Sequence, residues 1–273
     1  MLVEIFLNRI TVMLKGYSET LLPYSMKIGF LILVAFLIIS CNRQHQSQPS
    51  TSAKPATQNA RIASIRLILP ASLERRRTEL QNYFDAATRN IQNFSSIYEW
   101  GDLAKEEFMD SVMFFDDKHQ FNIALLTLAE ADTTMKLADT YCAALEKKTL
   151  VAMTPEFYSK VFPEGIEEHS FEKLLTHEIA HRLHVRILKG DEEAMGPIWF
   201  YEGFAMFAAD QLSKSNIVLS NGEMIKLMNE AERGSYSKYN YIFRYFVKAI
   251  PLKELLAKAK NNNFNEELIA QLH

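Results

Sequence analysis

The sequence predicts an α+β fold, mostly helical, in which short N-terminal strands lead into a helical domain. Alternating apolar residues ending at a proline mark an early strand. Apolar positions at helical spacing mark a long helix after it, and from Pro155 to the C-terminus the pattern is almost wholly helical. A few early strands followed by a run of helices point to α+β.

Each element has its own signal. Ile62, Ile65, Leu67 and Leu69, stopped by Pro70, form the first expected strand. Leu73, Leu80, Phe84, Ala87, Ile91 and Phe94 recur at helical spacing, which predicts an amphipathic helix from Ser72 to Ile97. Ser111–Phe115 and Phe121–Leu126 read as short strands separated by the polar turn Asp116-Asp117-Lys118, and Thr133–Lys147 reads as a helix. Thr149–Met153 reads as a strand stopped by Thr154-Pro155. Ser170 as N-cap and Gly190 as the C′ residue bound a helix of about 19 residues. Gly196-Pro197 opens the next helix, proline being suited to a first turn.

The 273 residues are 48% hydrophobic and 23% charged, with a net charge of −3, enough apolar material for one core. The balance gives no reason to invoke a nucleic-acid partner, and none is expected: Arg75–Arg77 is too short a basic run to track phosphates. Residues 61–148 are expected to form an N-terminal α+β part and residues 149–273 a helical part carrying the chemistry.

Ahead of them, Met26-Lys27 precedes the apolar stretch Ile28–Ile39 and then Ser40-Cys41. A charged start, a short apolar core and a small residue at the boundary are the parts of a signal peptide. A spanning helix needs about 20 apolar residues, more than this run supplies. Residues 1–41 are therefore expected to be an export region with Met26 as the true start. Residues 42–60, rich in Gln, Ser, Thr and Pro, are expected to be a flexible linker. The two cysteines offer no disulfide framework, and Cys142 is expected to be a small buried hydrophobe.

The chemistry is concentrated in residues 177–202. His177 and His181 sit four residues apart on one expected helix, so their imidazoles lie on one face and can converge on one ion. Glu178 projects to the side of that pair, within reach of a water on the ion but not of the ion itself, which is the mechanical reason for the H-E-x-x-H spacing. A catalytic zinc takes three protein ligands and keeps one position open. Glu202, in the opening turns of the following helix, is the candidate third ligand, and Ala205, Ala208 and Ala209 give that helix a small-residue face for close packing.

Two resemblances sharpen these readings. Leu37-Ile38-Ile39-Ser40-Cys41 resembles a bacterial lipoprotein box, which implies a lipidated Cys41 and a membrane-anchored protein of the cell envelope. An uncleaved N-terminal anchor is the alternative, and it too exports the rest. Thr176-His177-Glu178-Ile179-Ala180-His181, followed by Trp199-Phe200-Tyr201-Glu202-Gly203-Phe204-Ala205, resembles the gluzincin metallopeptidases, which include thermolysin-like enzymes and the M1 aminopeptidases. The likeness covers roughly residues 149 to 250. It implies Zn2+ held by His177, His181 and Glu202, with Glu178 as general acid–base. Tyr236 would stabilise the tetrahedral intermediate; Tyr239 and Tyr241 are the substitutes.

The implied activity is zinc-dependent hydrolysis of a peptide or protein substrate. The implied strand at Thr149–Met153 is either the edge that pairs with an extended substrate or an internal one. Two features depart from the family. Met206 stands where a carboxylate typically orients a zinc histidine, with Asp210 as the candidate replacement, and the exopeptidase signature of the aminopeptidases is missing. The first departure motivates a rival reading, a non-catalytic surface binding lipoprotein that retains the fold; a zinc hydrolase acting on a cell-wall or other amide is a third. His184 extends the histidine stripe but lacks the spacing of a third ligand in the metzincin pattern, so it is expected on the helix surface or behind a ligand. His119 and His169 are expected at the surface.

Overall fold

The computed structural model describes residues 65–272, which belong to one compact unit. The export region with Met26 and Cys41, the linker at 42–60 and Ile62 lie outside the described residues. The architecture is α+β and mostly helical, built on a four-stranded sheet.

Strand β1 (Arg66–Ile68) runs parallel to β2 (Ser111–Phe115), joined to it through helix α1 (Arg77–Ile97). β2 in turn pairs in parallel with β4 (Thr149–Met153), and β3 (Ala143–Glu146) closes the order β1-β2-β4-β3 by pairing antiparallel with β4. Thr149–Met153 is thus internal, and β3 is the edge. The boundary between residues 61–148 and 149–273 falls inside the β3–β4 hairpin, so the two parts share one sheet.

The long-helix expectation holds in its periodicity. Leu80, Phe84, Ala87, Ile91 and Phe94 are all buried, and Leu73 is buried in the 3-10 turn Ala71–Arg76 that precedes α1. Two other segments differ from expectation. Residues expected to form a strand at Phe121–Leu126 belong to helix α2 (Lys118–Leu128). The supposed turn before it contains the cap: Asp117 Oδ1 accepts from the Gln120 backbone N–H at 2.8 Å, satisfying one of the free donors at the helix start. A short apolar run does not by itself separate a buried strand from a buried helix.

The expected helix at Thr133–Lys147 is instead irregular chain followed by β3. β3 turns into β4 through Lys147 and Lys148, at φ 42° and 61°. Such a two-residue hairpin normally advertises itself with Asn-Gly or Asp-Gly. Two lysines carry no such signal.

Helix α3 (Pro155–Val161), capped by Thr154, leads to the central helix α4 (Ser170–Ile187). α4 packs against α1, β3 and helix α5 (Ile198–Ala208), so it is buried on several sides. It starts at Ser170, with His169 rather than Ser170 in the N-cap position. It ends in a Schellman turn in which Gly190 N–H donates to the Val185 carbonyl at 2.9 Å and Lys189 N–H to Arg186 at 3.0 Å. Lys189, at φ 57°, therefore occupies C′, and Gly190 is one residue beyond it.

Pro197 caps α5 from outside its first turn. Helices α6 (Asn221–Met228), α7 (Tyr236–Val247), α8 (Leu252–Lys258) and α9 (Phe264–Ile269) complete the fold. α5 packs tightly on α7 at Gly203, where a Cβ would stand 2.7 Å from the Cβ of Phe243.

Candidate metal centre

The packing of α4 against α5 brings His177, His181 and Glu202 together, each almost wholly buried. His177 Nε2 and His181 Nε2 face each other at 3.0 Å. Glu202 Oε2 stands 3.2 Å from the first and 3.6 Å from the second. An ion bound tetrahedrally at about 2.0–2.1 Å spreads its ligands about 3.3 Å apart. The three atoms already sit at that separation.

Their chemistry also fits a cation. His177 Nδ1 donates to Gln211 Oε1 at 2.9 Å, which fixes the ring with Nε2 facing the cluster. Burial alone would raise the Glu202 carboxyl, but Arg233 and the two imidazoles outweigh it and hold the carboxylate well below its ordinary range. Burial works to lower His177, and Glu202 overcomes it and raises this imidazole. His181, where burial wins, is lowered. A buried carboxylate flanked by two imidazole Nε2 atoms could hold a metal ion.

Glu178 is not among the converging atoms. It lines the cleft beside them, and burial pushes its carboxyl up to about 7, with His177 opposing and Glu202 adding to the rise. Tyr236, the first residue of α7, lines the same cleft with its ring 5.9 Å from that of His177. The two substitute tyrosines do not reach it. Tyr239 braces the preceding loop, its hydroxyl accepting from Gly234 N–H at 2.6 Å and donating to the Glu232 carbonyl at 3.3 Å. Tyr241 lines a separate groove with Arg244 and Lys248.

The cleft encloses about 770 Å³, counting its open mouth. Thr140 to Ala143, entering the edge strand β3, form one wall, and Tyr158, Phe162, Leu174, Met206 and Leu212 supply apolar surface. Cys142 is a free, buried thiol in that wall, pushed up to about 12 by burial. Nearby, Lys118 Nζ donates to the Tyr141 carbonyl and packs over the Phe121 ring.

Two residues of the site have no counterpart in the sequence reading. The first is Gln211, which does the orienting expected of a carboxylate at Met206 or Asp210. Asp210 is exposed and pairs with Arg244 at 3.0 Å, so it cannot serve. The reason is the end of α5. Asp210 takes φ 51°, and Gln211 N–H donates to the Met206 carbonyl at 2.9 Å, closing a Schellman turn that swings Gln211 inward. Asn240, donating to the Gln211 carbonyl at 2.8 Å, holds the turn from α7. Lys173, bound to Glu167 and to the Asp210 carbonyl, holds it from α4.

The second is Arg233, in the loop before α7. Its Nη2 lies 2.8 Å from Glu202 Oε1, and its Nη1 donates to the Tyr236 hydroxyl at 3.2 Å. No spacing rule marks it, because it reaches Glu202 only through the packing of α7 on α5.

His184 is neither at the surface nor behind a ligand. It is fully buried, its ring 4.6 Å from that of Phe204, with no hydrogen-bond partner on either nitrogen among the described residues. Burial pushes it down to about 3, so it is a neutral member of the core. His119 and His169 are exposed, as expected.

Compared with known proteins, the chain matches no family model, and neither a curated protein nor a solved structure gives a significant match.

Proposed function

We propose that this chain is a zinc-dependent metallopeptidase of the cell envelope, tethered to the membrane through a lipidated Cys41. The observation that carries the reading is the His177–His181–Glu202 cluster, with three ligand atoms at tetrahedral spacing and Glu178 beside them in an open cleft. Two imidazoles and one carboxylate with a position left open are the ligand set of catalytic zinc. The ion, when bound, supplies Lewis acidity that lowers the pKa of water toward about 7 and polarises a carbonyl.

The chain's own groups do the rest. Glu178 takes a proton from the attacking water and returns it to the departing amine, help typically worth about 10²–10⁴-fold. Tyr236 donates its hydroxyl hydrogen to the oxyanion as it develops; one such donor is worth roughly 3–4 kcal/mol. A peptide substrate is favoured because the cleft is walled by the approach to β3. An edge strand offers main-chain hydrogen bonds to an extended chain.

The rival reading, a binding lipoprotein without turnover, drew on the missing carboxylate at Met206. Gln211 fills the orienting role, which takes away that motive. The test uses the detergent-solubilised full chain and Glu178→Gln. Both should contain about one zinc per chain, and only the wild type should cleave a peptide library. Cleavage by the variant at the wild-type rate would refute the mechanism; a zinc-loaded wild type that cleaves nothing would favour the binding protein.

A further inference from the structure

Glu202 divides its two oxygens. Oε2 faces the imidazoles, whereas Oε1 is held by Arg233 Nη2 at 2.8 Å, with the carboxylate almost wholly buried and the arginine side chain about 29% exposed. The same guanidinium, through Nη1, donates to the Tyr236 hydroxyl at 3.2 Å. Tyr201, one residue before Glu202 on α5, also interacts electrostatically with this guanidinium. A guanidinium is a planar fork of donors with no acceptor and no accessible deprotonated form.

Two constraints follow. With Oε1 engaged, Glu202 is steered toward ligation through Oε2 alone, leaving the fourth position free. Because Arg233 can only donate, the Tyr236 oxygen is the acceptor in their contact, and the phenolic hydrogen is left free for another acceptor.

We propose that Arg233 is a positioning residue that clamps the third metal ligand and the oxyanion donor to each other, fixing Glu202 in single-oxygen ligation and aiming the Tyr236 hydroxyl at the substrate. The proposal rests on the metallopeptidase reading and adds to it a residue outside the H-E-x-x-H pattern. Its charge has a further effect. Neutralising Glu202 leaves the centre with the full charge of its ion, so the carboxylate ligand does not blunt the Lewis acidity. Lysine keeps the charge but, as a single point donor, cannot reach Glu202 and Tyr236 in the same fixed fork.

The experiment compares the full-length wild type with Arg233→Lys and Arg233→Gln, each checked for folding by circular dichroism. Zinc affinity is measured against a competing chelator, and the visible spectrum is recorded after loading with Co2+. We expect Arg233→Lys, which keeps the charge but loses the fork, to bind zinc about 10–100-fold more weakly, the usual effect of losing a group that holds a ligand. Arg233→Gln, which also removes a cation beside the ion, should lose less affinity. The Co2+ bands should shift as Oε1 becomes free to ligate. With a peptide substrate at saturating zinc, kcat should fall while KM changes little. Combining Arg233→Lys with Tyr236→Phe should cost less than the product of the two single effects, because one acts through the other.

A folded Arg233→Lys with unchanged zinc affinity and unchanged Co2+ bands would overturn the clamp while leaving the metallopeptidase reading intact. A wild-type chain that takes up no metal would overturn that reading, and the clamp with it. If Arg233→Gln fails to fold, Arg233→Lys alone decides.

Discussion

Gln211 Oε1 lies 2.9 Å from His177 Nδ1, so a neutral amide orients the first histidine of the candidate metal centre. An amide fixes the tautomer and the ring plane as a carboxylate does, but it lends the imidazole less electron density. Gln211→Glu should therefore tighten metal binding, by about tenfold, and Gln211→Ala should weaken it by about 10–100-fold. Chelator competition measures both; equal affinity in all three proteins would show that the bond does not matter.

His184→Leu should stabilise the fold. A buried polar group without a partner costs about 1–3 kcal/mol, and leucine removes it from a pocket already formed by Phe200 and Phe204. Thermal unfolding should rise by a few degrees, and a fall would mean that His184 has a partner.

The same residue sets a pH dependence. Its pKa drops from an ordinary 6.5 to about 3 on folding. A depressed folded pKa means the unfolded chain takes up the proton first. The stabilisation is complete above pH 6.5 and is lost progressively as pH falls toward 3. At about 1.4 kcal/mol per unit, full titration removes roughly 3–5 kcal/mol. His184→Leu should flatten the stability curve in that window.

Gly203→Ala inserts a Cβ 2.7 Å from Phe243 Cβ, a contact that must be relieved by moving α5 away from α7. Overpacking of this kind costs about 1–3 kcal/mol. Because Glu202 is the preceding residue, zinc affinity should fall along with stability. Loss of stability with full affinity would show that the ligand tolerates the shift.

Lys148→Gly should stabilise the β3–β4 hairpin by about 1 kcal/mol, since lysine there is held at φ 61°. Denaturant unfolding reads the effect directly.

How much of this was legible in the sequence depends on the range of the interaction. The long helix could be read because Leu80 to Phe94 repeat within one element. The grouping of His177 with His181 could be read because helical pitch alone puts them together. Glu202 needed one further step, that its helix packs on the first. The misread segments failed locally: the Asp117 cap looked like a turn, and Lys147-Lys148 concealed a hairpin. Gln211 and Arg233 were beyond reach for another reason. One is delivered by the place where α5 stops and the other by the seating of α7, and neither is written in any fixed interval from the H-E-x-x-H residues.

The turn at Asp210 also makes the length of α5 a property of the candidate metal centre. Each helical residue rotates the chain by about 100°. Removing or adding one residue between Gly203 and Ala208 would keep Glu202 in place yet deliver the following side chain to another side of the molecule. Relatives of this protein should therefore tolerate exchange of side chains along that helix far better than insertion or deletion within it.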